Sequence, residues 1–213
     1  LLRVWSVCTN LPGRRHWQGG EGMSFDVMIV GIGGQGTILT SNILGKACVI
    51  EGIPVRGAET HGMAQRGGSV ESQIRIGQEF GPLIAPGTAD LLLSFDLMEA
   101  VRAAHWLKPE GYIYSGREYV VPTSVFMQDL PAPTEQMLLE MLGDRPVKVI
   151  SSREIAEEAG NVLTQNIVML GAASPVIPLK KESLLEAIRD TVPPKTIDLN
   201  LKAFNMGIEA GKK

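Results

Sequence analysis

The chain has 213 residues, 44% of them hydrophobic and 20% charged, with a formal net charge of -3. No window approaches the ~18 to 20 uninterrupted apolar residues of a membrane-spanning helix, and the balance of charge gives no basic footprint for nucleic acid, so both classes are excluded. Two cysteines, Cys8 and Cys48, are too few for a four-thiolate iron–sulfur cluster, a cysteine-rich zinc site or a disulfide framework, which points to a reduced, cytoplasmic protein.

Residues 1–22 read differently from the rest. They hold Trp5, Trp17, Cys8, His16 and the pair Arg14-Arg15, follow no helical or strand period, and run through Gly19, Gly20 and Gly22 into Met23. Without a continuous apolar stretch and a small-residue cleavage site this is no secretory signal. It is expected to be a non-native or disordered leader, with residues 23–213 forming one domain.

From Phe25 to Val30 the run FDVMIV predicts a short apolar strand, and the spacing of Ile38, Leu39, Ile43, Ala47 and Ile50 predicts a helix over 35–50. A second strand is expected over 53–57, then an alternating strand over 69–76 and a continuous apolar one over 89–95. A helix follows over 97–107, then a turn at Pro109-Glu110-Gly111 and a strand over 112–114. Beyond it, 134–142 reads as helix and 146–150 as strand. Ser151 and Glu154 have the spacing of a capping box. Helices over 161–173, 183–190 and from 196 to 207 or beyond complete the chain. Strands alternating with helices imply an α/β fold: a single three-layer domain with a central, mostly parallel sheet and a helical C-terminal part.

Glycine is over-represented at 24 residues, 13 of which fall between Gly31 and Gly87. Two motifs hold seven of these. Gly31, Gly33, Gly34, Gln35 and Gly36 lie in a G-x-G-x-x-G spacing between a strand and a helix, where backbone amides are able to receive an anion. The dinucleotide fingerprint also wants a carboxylate about 20 residues on, at the end of the second strand. Glu51 precedes that strand and Glu59 is embedded in the second motif. A tight turn used for packing or subunit contact is therefore preferred over a nucleotide site.

The second motif, ETHGMAQRGGS, contains Glu59, Thr60, His61, Gly62, Gln65, Arg66, Gly67, Gly68 and Ser69. It is too polar for core and is expected as a structured loop at one end of the sheet. Arg66 is suited to hold a carboxylate or phosphate through its planar fork, and His61 to carry a proton near neutral pH. The alternative is that Glu59 and Arg66 pair with each other and His61 bonds a carbonyl, merely holding the loop. Cys48 reads as a packed helix residue, His105 as a surface or packed helix histidine, and Asn166 as an amide that either reaches the glycine turn or is capped or solvent-facing.

VGIGGQGTILTSNIL, RGAETHGMAQRGGSVESQIRIG and PLIAPGTADLLLSFDLMEAVRAAHWLKPEG together resemble the small, gamma-type subunits of the 2-oxoacid:ferredoxin oxidoreductases, the indolepyruvate branch most closely. TQNIVMLG and NLKAFNMG extend the resemblance to the C-terminal helices. It implies oxidative decarboxylation of an aryl pyruvate to an arylacetyl-CoA, with electrons passed to ferredoxin. It also implies that thiamine diphosphate, magnesium and iron–sulfur clusters sit on a large subunit, that coenzyme A is co-substrate, and that this chain binds no cofactor alone. The chain lacks a magnesium–diphosphate motif and a cysteine cluster, in keeping with that division. Pyruvate, 2-oxoisovalerate or 2-oxoglutarate as substrate is the alternative within the family. A nucleotide-binding oxidoreductase and a non-catalytic scaffold module are the alternatives outside it.

Overall fold

In the computed structural model, residues 2–7, 24–61, 68–78, 80–121, 123–127 and 131–212 are described. In chain order the elements are β1 (Leu2–Val7), β2 (Phe25–Ile32), α1 (Thr37–Glu51), β3 (Val55–His61), β4 (Ser69–Ile76), β5 (Ala89–Ser94), α2 (Leu97–Ala103), β6 (Leu107–Gly116), α3 (Thr123–Met127), α4 (Glu135–Leu142), β7 (Val147–Ile150), α5 (Ser152–Ala159), α6 (Gln165–Ala173), α7 (Lys181–Thr191) and α8 (Ile197–Lys212).

The sheet runs β1-β3-β4-β2-β5-β6-β7. Strands β2, β5, β6 and β7 pair in parallel, β4 runs against both β2 and β3, and β1 runs against β3. Strands β2, β3, β5, β6 and β7 therefore share one direction, which makes the sheet mostly parallel, as the sequence implies. Burial on both faces explains why β2 and β5 are continuous apolar runs. Val27 and Ile29 of β2 enter the larger core with α1 and α5–α8, while Met28 and Val30 enter a second core with α2 and α4. These are the three layers.

Several boundaries differ from expectation. β3 does not stop at Gly57 but continues to His61, because β4 on one side and β1 on the other supply ladder partners along its length. The turn at Pro109-Glu110-Gly111 is absorbed into β6 as an irregularity: Ala89 pairs with Leu107, and the next pair is Leu91 with Tyr112. Helix α2 ends at Ala103 and passes through a 3-10 turn into β6. The capping box at Ser151 does not form, since that side chain makes no cap hydrogen bond. Helix α3 was not legible in the sequence. Within residues 1–22, Leu2–Val7 form a strand that the sequence pattern did not suggest; pairing with β3 satisfies an edge whose amides and carbonyls would otherwise lack partners.

Candidate functional site

The topology has a switch point between β2 and β5. β2 crosses through α1 toward β3, and β5 crosses through α2 toward β6, in opposite directions and on opposite faces. The carboxyl ends of the two strands at such a switch point are the usual ligand position of open α/β sheets. Because β4 is antiparallel to β2, its first residue, Ser69, lies opposite Ile32. Both glycine motifs thus meet at the same end of the sheet, which local sequence could not establish.

The turn after β2 is held mainly from inside. Ile32 N donates to Gln35 Oε1 at 2.6 Å, Gln35 Nε2 donates to Phe95 O at 3.4 Å, Gln35 N donates to Ile32 O at 3.0 Å, and Gly33 N donates to Gly68 O at 2.9 Å. Three of the amides that a phosphate would need are therefore already committed. A Cβ on Gly31 would lie 2.8 Å from Gln35 Oε1 and 3.3 Å from Phe95, so this glycine allows close packing of the turn on β5. Gly36 has φ 87° and caps α1 without a side-chain bond. Its carbonyl accepts from Asn166 Nδ2 at 3.4 Å, and Asn166 is almost fully buried. Of the two readings of Asn166, the contact to the glycine turn is the one present, and the side chain is not solvent-facing.

The second motif is only partly loop. Glu59, Thr60 and His61 stand on β3. Glu59 is 4% exposed and accepts a hydrogen bond from Ser41 Oγ of α1 at 3.3 Å, so it is held beneath the helix. That geometry does not offer its carboxylate as a free ribose ligand at the strand end. Thr60 is exposed, and Gly68 and Ser69 are half-buried. Gly62, Gln65, Arg66 and Gly67 lie outside the described residues, as does the side chain of His61.

Three residues that local sequence did not single out complete this end. Asp96, fully buried after β5, accepts from Met98 N at 2.9 Å, Glu99 N at 3.1 Å and Val120 N at 2.8 Å. It caps α2 and ties it to the segment after β6. Burial pushes its carboxyl up from the ordinary range, and the three backbone donors oppose that rise. Glu99, also buried, binds Ser69 and Arg102. Phe95 follows β5 and packs beside Gly31. An acidic residue after an apolar strand and before a helix was a capping signal that could have found Asp96.

Among the described residues no group of three or more His, Cys, Asp or Glu side chains is placed to hold a metal ion. Cys48 is buried inside α1, and burial pushes its thiol up to about 12. His105 is exposed, with Nδ1 2.9 Å from Arg102 O and its ring tilted against Trp106. Neither side chain points to chemistry. Among the described residues the donor set does not fit a metal cluster, and the internally bonded turn does not fit a diphosphate cradle.

Comparison with known proteins gives a consistent picture. The family described as "Pyruvate ferredoxin/flavodoxin oxidoreductase" matches residues 26–210. The chain is 41% identical over 192 residues to indolepyruvate oxidoreductase subunit IorB of Methanothermobacter thermautotrophicus, covering 88% of this chain and 98% of that protein. It is 26% identical over 191 residues to 2-oxoglutarate synthase subunit KorC of Methanothermobacter marburgensis, covering 88% and 96%. Among solved structures, the gamma subunit of a keto/oxoacid ferredoxin oxidoreductase from Geobacter sulfurreducens superposes with a TM-score of 0.67 at 26% identity, covering 88% of this chain and 98% of that one.

Proposed function

The chain belongs to the pyruvate ferredoxin/flavodoxin oxidoreductase family, and from that premise we propose that it is the small subunit of an enzyme that oxidatively decarboxylates indolepyruvate or a related aryl pyruvate. The observation that carries the branch is the contrast between 41% identity to an indolepyruvate oxidoreductase subunit and 26% to a 2-oxoglutarate synthase subunit over nearly the same length. The acyl product leaves as an arylacetyl-CoA, carbon dioxide is released, and the two electrons pass to ferredoxin. Thiamine diphosphate with magnesium, carried by the large subunit, supplies the stabilised carbanion chemistry, and iron–sulfur clusters on that subunit carry the electrons.

This chain contributes position rather than a cofactor. Its two glycine motifs meet at the carboxyl end of β2 and β5 and face the large subunit. Ile38, on the first turn of α1, is 38% exposed, and Leu163, just before α6, is 79% exposed. These apolar side chains flank the same end of the sheet and suit a contact that excludes water. His61, the last residue of β3, and Arg66, which lies between β3 and β4 in the sequence, are proposed to act at the reacting centre, Arg66 binding the carboxylate of the 2-oxoacid or a phosphate of coenzyme A and His61 holding a proton. The complex works in the cytoplasm.

Co-expression with the large-subunit reading frame, followed by anaerobic assay with coenzyme A and a viologen acceptor, tests this. The expected result is co-purification and turnover of indolepyruvate well above that of pyruvate or 2-oxoglutarate. Failure of any large subunit to co-purify, or a preference for 2-oxoglutarate, overturns it. Saturable binding of NAD(P) or FAD to the chain alone would favour a nucleotide-dependent oxidoreductase instead.

A further inference from the structure

Ser69 is the first residue of β4 and marks the exit from the β3–β4 hairpin. Its Oγ donates to Glu99 Oε2 at 2.5 Å, in the range of a short, charge-assisted bond. Arg102 Nη1 donates to the other carboxylate oxygen, Oε1, at 2.8 Å. Glu99 is only 6% exposed, on a short helix whose other buried members are leucine and alanine. A buried carboxylate is costly, and an apolar residue of similar volume would usually stabilise the helix as well or better. Glu99 is therefore badly chosen for packing and well chosen for holding a hydroxyl.

What it holds is the root of the hairpin. Gly68 O accepts from Gly33 N at 2.9 Å, so adjacent residues are tied to two separate elements, Gly68 to the turn after β2 and Ser69 to α2. Helix α2 is itself fixed by Asp96, which reaches both its first turn and Val120 N. We propose that Glu99 is a positioning residue: through Ser69 it fixes where β4 begins, and so aligns that end of the strand with the glycine turn for catalysis in the assembled enzyme. The catalytic part of this rests on the function proposed above; the structural part does not.

The test uses the complex with the large subunit and the full chain alone, each as wild type, Ser69→Ala, Ser69→Thr and Glu99→Gln. In the complex, Ser69→Ala and Glu99→Gln lower kcat about tenfold at nearly unchanged KM for the 2-oxoacid, whereas Ser69→Thr, which keeps the hydroxyl, stays within about twofold of wild type. Ser174→Ala deletes a hydroxyl bond to Gly171 O remote from this end of the sheet and leaves kcat unchanged. In the full chain, hydrogen exchange at residues 68–70 accelerates for Ser69→Ala and Glu99→Gln and not for Ser69→Thr. Wild-type kcat in both variants, or equal loss in Ser69→Ala and Ser69→Thr, overturns the inference. A wild-type complex inactive on every 2-oxoacid, with the exchange pattern as expected, overturns the proposed reaction and leaves Glu99 as the anchor of the hairpin. Unaltered exchange in the full chain overturns the anchor itself, including where a variant fails to assemble.

Discussion

Gly36 is where backbone conformation and a distant side chain coincide. Its φ of 87° favours glycine, and an added Cβ would sit 2.7 Å from Asn166 Nδ2. Gly34 has φ 106° but nothing within 4 Å of such a Cβ. Both substitutions to alanine carry backbone strain of about 1–3 kcal/mol. Gly36→Ala is expected to lose clearly more stability than Gly34→Ala by urea unfolding, and the excess to shrink when Asn166 is also alanine. Equal losses would mean that Asn166 yields without cost. Cys48 gives a second check at this scale. With its thiol buried and pushed up to about 12, it should resist alkylation at pH 8 in the folded chain and react fully in denaturant, as read by peptide mapping. That Cys48 is packed was legible from its place in an apolar helix. That Glu99 touches Ser69 was not, because 30 residues separate them and α2 reads as an ordinary amphipathic helix.

Helices α6 and α8 cross at glycines. A Cβ on Gly171 would lie 2.1 Å from Phe204 O, one on Gly207 2.1 Å from Val168 O, and one on Gly211 2.4 Å from Ala172 O. Those distances leave no room for a methyl, since the obstacles are backbone. Gly207→Ala must push the helices apart, an overpacking cost of typically about 1–3 kcal/mol. It should lower the thermal midpoint by several degrees, whereas Gly143→Ala, whose added methyl meets nothing within 4 Å, carries only the strain of φ 67°. If Gly207→Ala is no worse than Gly143→Ala, close backbone approach is not what selects these glycines. Both C-terminal segments read as helices from the sequence, and the resemblance extends to them. Their physical reason, a helix buried from Asn166 to Ala173 and pressed against a neighbour, emerges only once α8 is in place.

Across the whole molecule, buried carboxyls shape the response to pH. Asp26 and Asp96 both titrate above their ordinary range because burial disfavours the charged form, with Arg75 opposing the rise at Asp26. A folded-state pKa above the unfolded one means the folded protein holds these protons more tightly. Their contribution to stability is thus full below the ordinary carboxylate range and is lost as pH rises through the raised folded values. Urea unfolding of wild type and Asp96→Asn across this window is expected to show the wild type losing ground as pH increases, then running parallel once Asp96 is fully ionised. A difference that stays constant across the window would mean Asp96 keeps its ordinary pKa.

The sequence by itself determined the α/β class, the largely parallel sheet, the core strands and the two glycine motifs, because periodicity and glycine placement are local properties that burial on both faces amplifies. It also determined the family, through motifs spread along most of the chain. Tertiary structure decided that both motifs share one end of the sheet, that Glu59 turns beneath α1 rather than outward, and that Ser69 is held by Glu99. Strand order and antiparallel insertion of β4 bring together residues far apart in the chain, and no local pattern encodes which strand lies beside which.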